Sequence, residues 1–271
     1  TAPAGGGTPA GGGRKNLEAV YPLSPMQQGM LFHSLQAPES GVYFEQLVCS
    51  LHGSLDTAAF ARAWQQVIDR HAVLRTAFAW KRLDKTVQAV HRQVSLPLEH
   101  LDWRDLSPTE QERALEQYRA AERRQGFDLS RAPLLRLTLI RTGEQAYRLL
   151  WSHHHILLDG WSMPILLREV FTLYAAHAQG RTVGLPPARP YRDYIAWLGE
   201  QDMAAAETFW RRTLAGFTAP TELRLQAPGA DRLAPGQTRM AEQEVRLSVE
   251  ETAEVQSLVR GQGLTLSTVV Q

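Results

Sequence analysis

Tyr147-Arg-Leu-Leu-Trp-Ser-His-His-His-Ile-Leu-Leu-Asp-Gly-Trp-Ser162 carries an apolar, β-forming run into three histidines, an apolar triplet and an Asp-Gly pair. Residues 147–152 read as a strand, and Leu134 to Ile140 reads as its neighbour, with a turn at Thr142-Gly143 between them. A helix is expected from about Met163 to Gln179, where Gly180 ends it. Side chains alternate along a strand, so His153 and His155 share one face and His154 points to the other. Strand, turn, strand and helix in succession imply a sheet covered by helices.

Working outward, the same grammar repeats. Ser24 stands at an N-cap with Pro25 at the first helical position, and Met26, Met30, Leu31 and Leu35 follow at helical spacing to about Gln36. Val42 to Leu51 reads as a strand. Asp56 caps a helix reaching about His71, with Phe60, Trp64, Val67 and Ile68 on its apolar side. Leu74 to Trp80 and Val87 to His91 read as paired strands. Ser107-Pro-Thr-Glu110 is a capping box that opens a helix to about Arg124. Gly184-Leu-Pro-Pro-Ala-Arg-Pro190 marks a lobe boundary. Helices are expected near 191–201 and 203–215, a polar loop near 218–238, a strand near 241–247 and a helix from about Ser248. Strands and helices intermix throughout, so the fold class is α/β or α+β, in layers.

Composition narrows the function. The chain has 271 residues, 44% hydrophobic and 21% charged, as soluble globular chains do. Its net charge of +1 supplies no field to gather nucleic acid or anionic lipid. The single cysteine, Cys49, excludes an intrachain disulfide and Cys-rich metal sites, and a reducing cytosolic setting is expected. No apolar run approaches the ~20 residues of a membrane span, and the N-terminus lacks an apolar signal core. Six of the 20 glycines lie in the first thirteen residues. Residues 1–16 therefore read as a flexible linker; an inter-domain tether and an added tail fit this composition equally.

The histidine cluster admits three readings. The rings are satisfied within the core, or His-x-His chelates a metal with Asp159, or a histidine serves a transfer reaction. No HExxH partner supports the metal. Gly160-Trp-Ser162-Met-Pro164 is not a nucleophile elbow, and Cys49 reads as a small buried hydrophobe. A transfer without a protein nucleophile remains, in which one substrate supplies the attacking group and imidazole handles or holds it.

His154-His155-Ile-Leu-Leu-Asp159-Gly160 resembles the HHxxxDG signature of nonribosomal peptide synthetase condensation domains. Three further stretches resemble that family's motifs in the right order: Tyr21-Pro-Leu-Ser-Pro-Met-Gln-Gln-Gly-Met-Leu-Phe-His33, Arg70-His-Ala-Val-Leu-Arg-Thr-Ala-Phe78 and Tyr191-Arg-Asp-Tyr-Ile-Ala-Trp197. The resemblance implies a chloramphenicol acetyltransferase-like fold of two αβα lobes with the active site between them. It implies an N-terminal lobe over 17–183 and an incomplete start of the second lobe over 184–271, since family members continue well past 271.

The same resemblance implies the chemistry. Upstream and downstream peptidyl carrier protein domains are the partners, with no nucleic acid and no membrane. The domain itself holds no cofactor; substrates arrive on phosphopantetheine arms. The acceptor α-amine attacks the donor thioester. His155 is the catalytic residue, as general base or as positioner of the amine. Asp159 is expected to pair with Arg75, or with Arg70, and so aim His155. Gly160 keeps space open beside the histidine, His154 is buried support, and the rings of 191–197 serve packing. The motif variants look most like the subtype joining a D-configured donor to an L-acceptor. Another His-dependent acyltransferase or an epimerization domain of the same fold, or a non-catalytic carrier-docking fragment, are the alternatives.

Overall fold

A computed structural model describes residues 16–81, 83–219 and 245–270. Its elements are β1 (Leu17–Pro22), α1 (Pro25–Gln36), β2 (Phe44–His52), α2 (Thr57–Arg70), β3 (Thr76–Ala79), β4 (Val87–His91), β5 (Leu98–Asp102) and α3 (Pro108–Gln125). There follow β6 (Leu135–Gly143), β7 (Ala146–His154), α4 (Ser162–Ala178), α5 (Tyr191–Gly199), α6 (Met203–Thr213), α7 (Val249–Gly261) and α8 (Leu266–Val270). The expected linker, apart from Asn16, and most of the expected 218–238 loop lie outside the described residues. So do 241–244 of the strand expected near 241–247; Val245 to Leu247 are not in a strand.

Local chemistry starts the helices where the sequence predicts. Ser24 Oγ accepts from the Gln27 N–H at 3.1 Å while Gln27 Oε1 accepts from the Ser24 N–H at 3.0 Å. Asp56 Oδ1 accepts from the Ala59 N–H at 2.9 Å, and Ser107 with Glu110 forms the expected capping box. Each satisfies an amide that has no partner inside its own helix.

The chain divides into two compact units, Thr1–Leu223 and Arg224–Gln271. In the second, Ser248 caps α7 through the Glu251 N–H, and α8 follows a turn at Gly263, whose φ is 63°. In the first, β1-β4-β3 form an antiparallel sheet and β2-β7-β6-β5 a larger one, antiparallel except for the parallel pair β5 and β6. β5 was not among the expected strands. It is a five-residue edge strand with mixed exposure, and its pairing with β6 spans more than thirty positions of sequence. The hairpin turn falls at Glu144-Gln145, slightly beyond Thr142-Gly143, because β6 runs on to Gly143.

The larger sheet is covered on both faces. Trp151 of β7 meets Trp64 of α2 edge to face at 4.9 Å, and Phe60 meets Tyr174 of α4 at 6.1 Å. Phe60, Trp64, Val67, Ile68, Leu137, Leu149, Trp151 and Val170 are all nearly inaccessible. The next residue along β7, Ser152, points the other way and donates to Glu122 of α3. Helices α2 and α4, the sheet, and α3 thus form an αβα sandwich. Helices α5 and α6 contribute no buried residue.

Candidate active site

β7 ends at His154, and the chain then crosses to α4 in seven residues. Ile156, Leu157 and Leu158 are buried, so the motif's apolar triplet anchors this crossover in the core. The Ile156 carbonyl accepts from Gln27 Nε2 of α1 at 3.3 Å, and the Leu157 N–H donates to the His154 carbonyl at 3.1 Å. A turn held on three sides gives the histidine end of the strand a defined position.

The three rings have different environments. His153 packs on Trp151 at 5.3 Å, on the α2 face, and its Nδ1 is buried with no hydrogen-bond partner. Burial, and secondarily the neighbouring His155, push its pKa down to about 4. His154 lies on the α3 face. Its Nδ1 accepts from the Ile156 N–H at 3.1 Å, so the proton sits on Nε2, which donates to Ser34 Oγ at 3.2 Å. Burial, then His153 and His155, lower its pKa to about 4. Both nitrogens of this neutral ring are engaged.

His155 stands just past the strand. Its N–H donates to the Tyr43 carbonyl at 2.9 Å, its ring lies parallel to that of Tyr43 at 6.5 Å, and its side chain is 33% exposed. Its ring makes no hydrogen bond among the described residues; its nearest charged group is Glu45, with Oε1 3.9 Å from Nδ1. Tyr43 and Glu45 lie on or beside β2, and sequence reading singled out neither. Their period-2 spacing marks a shared face, but only the β2–β7 register, with Glu45 opposite His153, brings that face to the histidine. His154, Ser34 and Tyr43 also line a cleft of about 190 Å³ with Trp80 and Phe127.

Asp159 is not paired with Arg75 or Arg70, which corrects the sequence expectation. Its Oδ1 accepts from the Ser162 N–H at 2.9 Å and from Ser162 Oγ at 2.6 Å. From two residues before the N-cap position, Trp161, it thereby caps the first amide of α4, which its own carbonyl also accepts at 3.1 Å, and the Ser162 hydrogen bonds hold its carboxyl below the usual carboxylate range. Arg75 is buried and turned the other way, donating to Glu18 Oε2 at 2.6 Å, to the Ile68 carbonyl at 3.2 Å and to the His91 carbonyl. Arg70 donates to Glu169 Oε2 at 3.1 Å and to the Pro186 carbonyl; His71 Nε2 lies 2.6 Å from the same Glu169 oxygen. The two arginines tie α2 and its following turn to β1, β4 and α4.

Gly160 is exposed. A Cβ there would meet no protein atom within 4 Å, so the protein's own packing does not require glycine. Next to it, Trp161 is 86% exposed. Along α5 the Tyr194 and Trp197 rings stack at 5.8 Å, and Tyr191 lies tilted against Tyr194 at 5.4 Å; none is buried. Among the described residues, no group of three or more His, Cys, Asp or Glu is placed to hold a metal ion, and no helix is long and apolar enough to cross a membrane.

The fold is similar to that of the starter condensation domain of rhizomide synthetase, with a TM-score of 0.66 and 22% identity over 75% of this chain and 50% of that one. The architecture and the histidine-bearing strand end define a chloramphenicol acetyltransferase-like α/β lobe. The chain belongs to the condensation-domain family, whose model matches residues 17–271. It is 47% identical over 260 residues to one of the linear gramicidin synthase subunits of Brevibacillus parabrevis, covering 96% of this chain and 3% of that protein. It is 39% identical over 211 residues to bacitracin synthase 3 of Bacillus licheniformis, covering 78% of this chain and 3% of that one. The chain thus spans only a small part of these relatives.

Proposed function

We propose that this chain contributes to peptide bond formation in a nonribosomal peptide synthetase, with His155 at the reacting amine. The acceptor's α-amine, carried on one peptidyl carrier protein, attacks the thioester carbonyl of the donor on another. A C–N bond forms, the C–S bond breaks, and the amine's proton leaves as the donor pantetheine sulfur departs as a thiol. The thioester is already activated, so holding the amine against it supplies much of the acceleration; well-oriented intramolecular reactions gain up to roughly 7–11 kcal/mol this way. His155 receives the amine proton or holds the amine by accepting its hydrogen bond.

One observation carries this reading. Of the three histidine rings, only that of His155 is both partly exposed and without a hydrogen bond among the described residues. His154 and the Ile156–Leu158 anchor support it, while Asp159 fixes the start of α4. On this reading residues 17–183 form the first lobe and 184–271 begin the second. The domain holds no cofactor, acts in the cytoplasm, and favours a D-configured donor. The test is peptide transfer between loaded carriers by the complete domain. His155→Ala lowers the rate by about 10²–10⁴-fold, the range of a positioned acid–base group, and His153→Ala costs far less. Near-wild-type transfer by His155→Ala would refute the assignment.

A further inference from the structure

With Asp159 committed to capping α4, the aiming of His155 needs another source. The register supplies one. Glu45 is opposite His153, and the His155 N–H reaches the Tyr43 carbonyl, so Tyr43, Glu45 and His155 share one face at the sheet's end. The Tyr43 ring lies parallel to the imidazole to within 8°, with the centroids 6.5 Å apart. The Glu45 carboxylate then faces Nδ1 at 3.9 Å, with half of its side chain still exposed.

We infer that Glu45 is a positioning residue for His155: its carboxylate accepts the Nδ1–H, fixing the tautomer that leaves the Nε2 lone pair free for the acceptor amine. This rests on reading His155 as the group at the reacting amine. An imidazole's protonated nitrogen is set by the hydrogen bond the other nitrogen makes or lacks. At 3.9 Å the pair is an ion-pair contact about 1 Å beyond hydrogen-bond distance, and catalytic hydrogen bonds that are long in the free enzyme commonly tighten in the substrate complex. The carboxylate transfers no proton; it holds one on Nδ1.

The test is the ¹⁵N–¹H correlation pattern of the His155 ring, which distinguishes Nδ1–H from Nε2–H, alongside transfer kinetics of the complete domain. The wild-type ring is expected as Nδ1–H, and Glu45→Ala, which leaves no side-chain acceptor, is expected to lose that preference. The same variant should lower kcat roughly tenfold with KM little changed, between the few-fold effect of an exposed pair and the ~10⁴ of a fully buried triad carboxylate. A wild-type ring found as Nε2–H overturns the inference without any variant having to fold. A tautomer unchanged in Glu45→Ala overturns it too, whatever the rate. Full transfer by His155→Ala would instead remove the underlying reading.

Discussion

Replacing Asp159 by alanine tests directly whether this carboxylate is a helix cap or half of a buried ion pair. The substitution removes the side-chain acceptor of the Ser162 N–H at 2.9 Å, leaving that amide the Asp159 carbonyl at 3.1 Å, and the acceptor of Ser162 Oγ at 2.6 Å, at the start of a 17-residue helix. Asp159 stands two residues before the N-cap position, Trp161, so losing its acceptor costs at most the ~1 kcal/mol of an N-cap, and losing a negative charge at the positive end of a helix adds roughly 0.3–1 kcal/mol. The expected destabilisation is therefore about 1–2 kcal/mol, with no buried charge left behind. A broken buried pair would instead cost ~3–5 kcal/mol. Urea unfolding separates the two, because at a slope of about 3 kcal/mol/M the cap predicts a midpoint shift of roughly 0.5 M.

Acidity gives an independent check. Folding lowers the Asp159 pKa, chiefly through the Ser162 hydrogen bonds, so its stabilisation is present above the ordinary carboxylate value and fades as pH falls through the lower folded value. The gap between wild type and Asp159→Ala should thus narrow in acid, below the ordinary value of about 4. Asp159→Asn, which caps nearly as well, should remain within about 0.5 kcal/mol of wild type near neutral pH. A loss above ~3 kcal/mol in both variants would refute the capping argument.

Gly160→Ala should change stability by less than ~0.5 kcal/mol, since its Cβ meets open space; a fall in turnover without a fall in melting temperature would then report crowding of substrate. Arg75→Met strips donors from Glu18 and from backbone carbonyls of α2 and β4, and should cost about 3 kcal/mol by denaturant titration. An unchanged midpoint would show that the guanidinium is dispensable. Competing donor carriers loaded with peptides that differ only in C-terminal configuration should transfer the D-form preferentially, and preference for the L-form would overturn the subtype.

The sequence alone determined most of the helices and strands, because those choices are local; the edge strand β5 escaped it, since that strand exists by pairing with the distant β6. Ser24, Asp56 and Ser107 cap from within three residues of the amides they satisfy, and apolar periodicity needs only neighbours along the chain. The motif likewise pointed to the histidine cluster. Which carboxylate meets which partner was not local. Asp159 and Arg75 looked like a pair because both stand in motifs, yet Asp159 found a donor three residues away while Arg75 lay beside Glu18, 57 positions earlier in the chain. Glu45 carries no motif, and only the antiparallel register of β2 on β7 sets it beside His155, 110 residues on. Register is decided by the packing of two sheet faces at once, a property of the folded whole, and a shift of one residue would turn Glu45 to the opposite face.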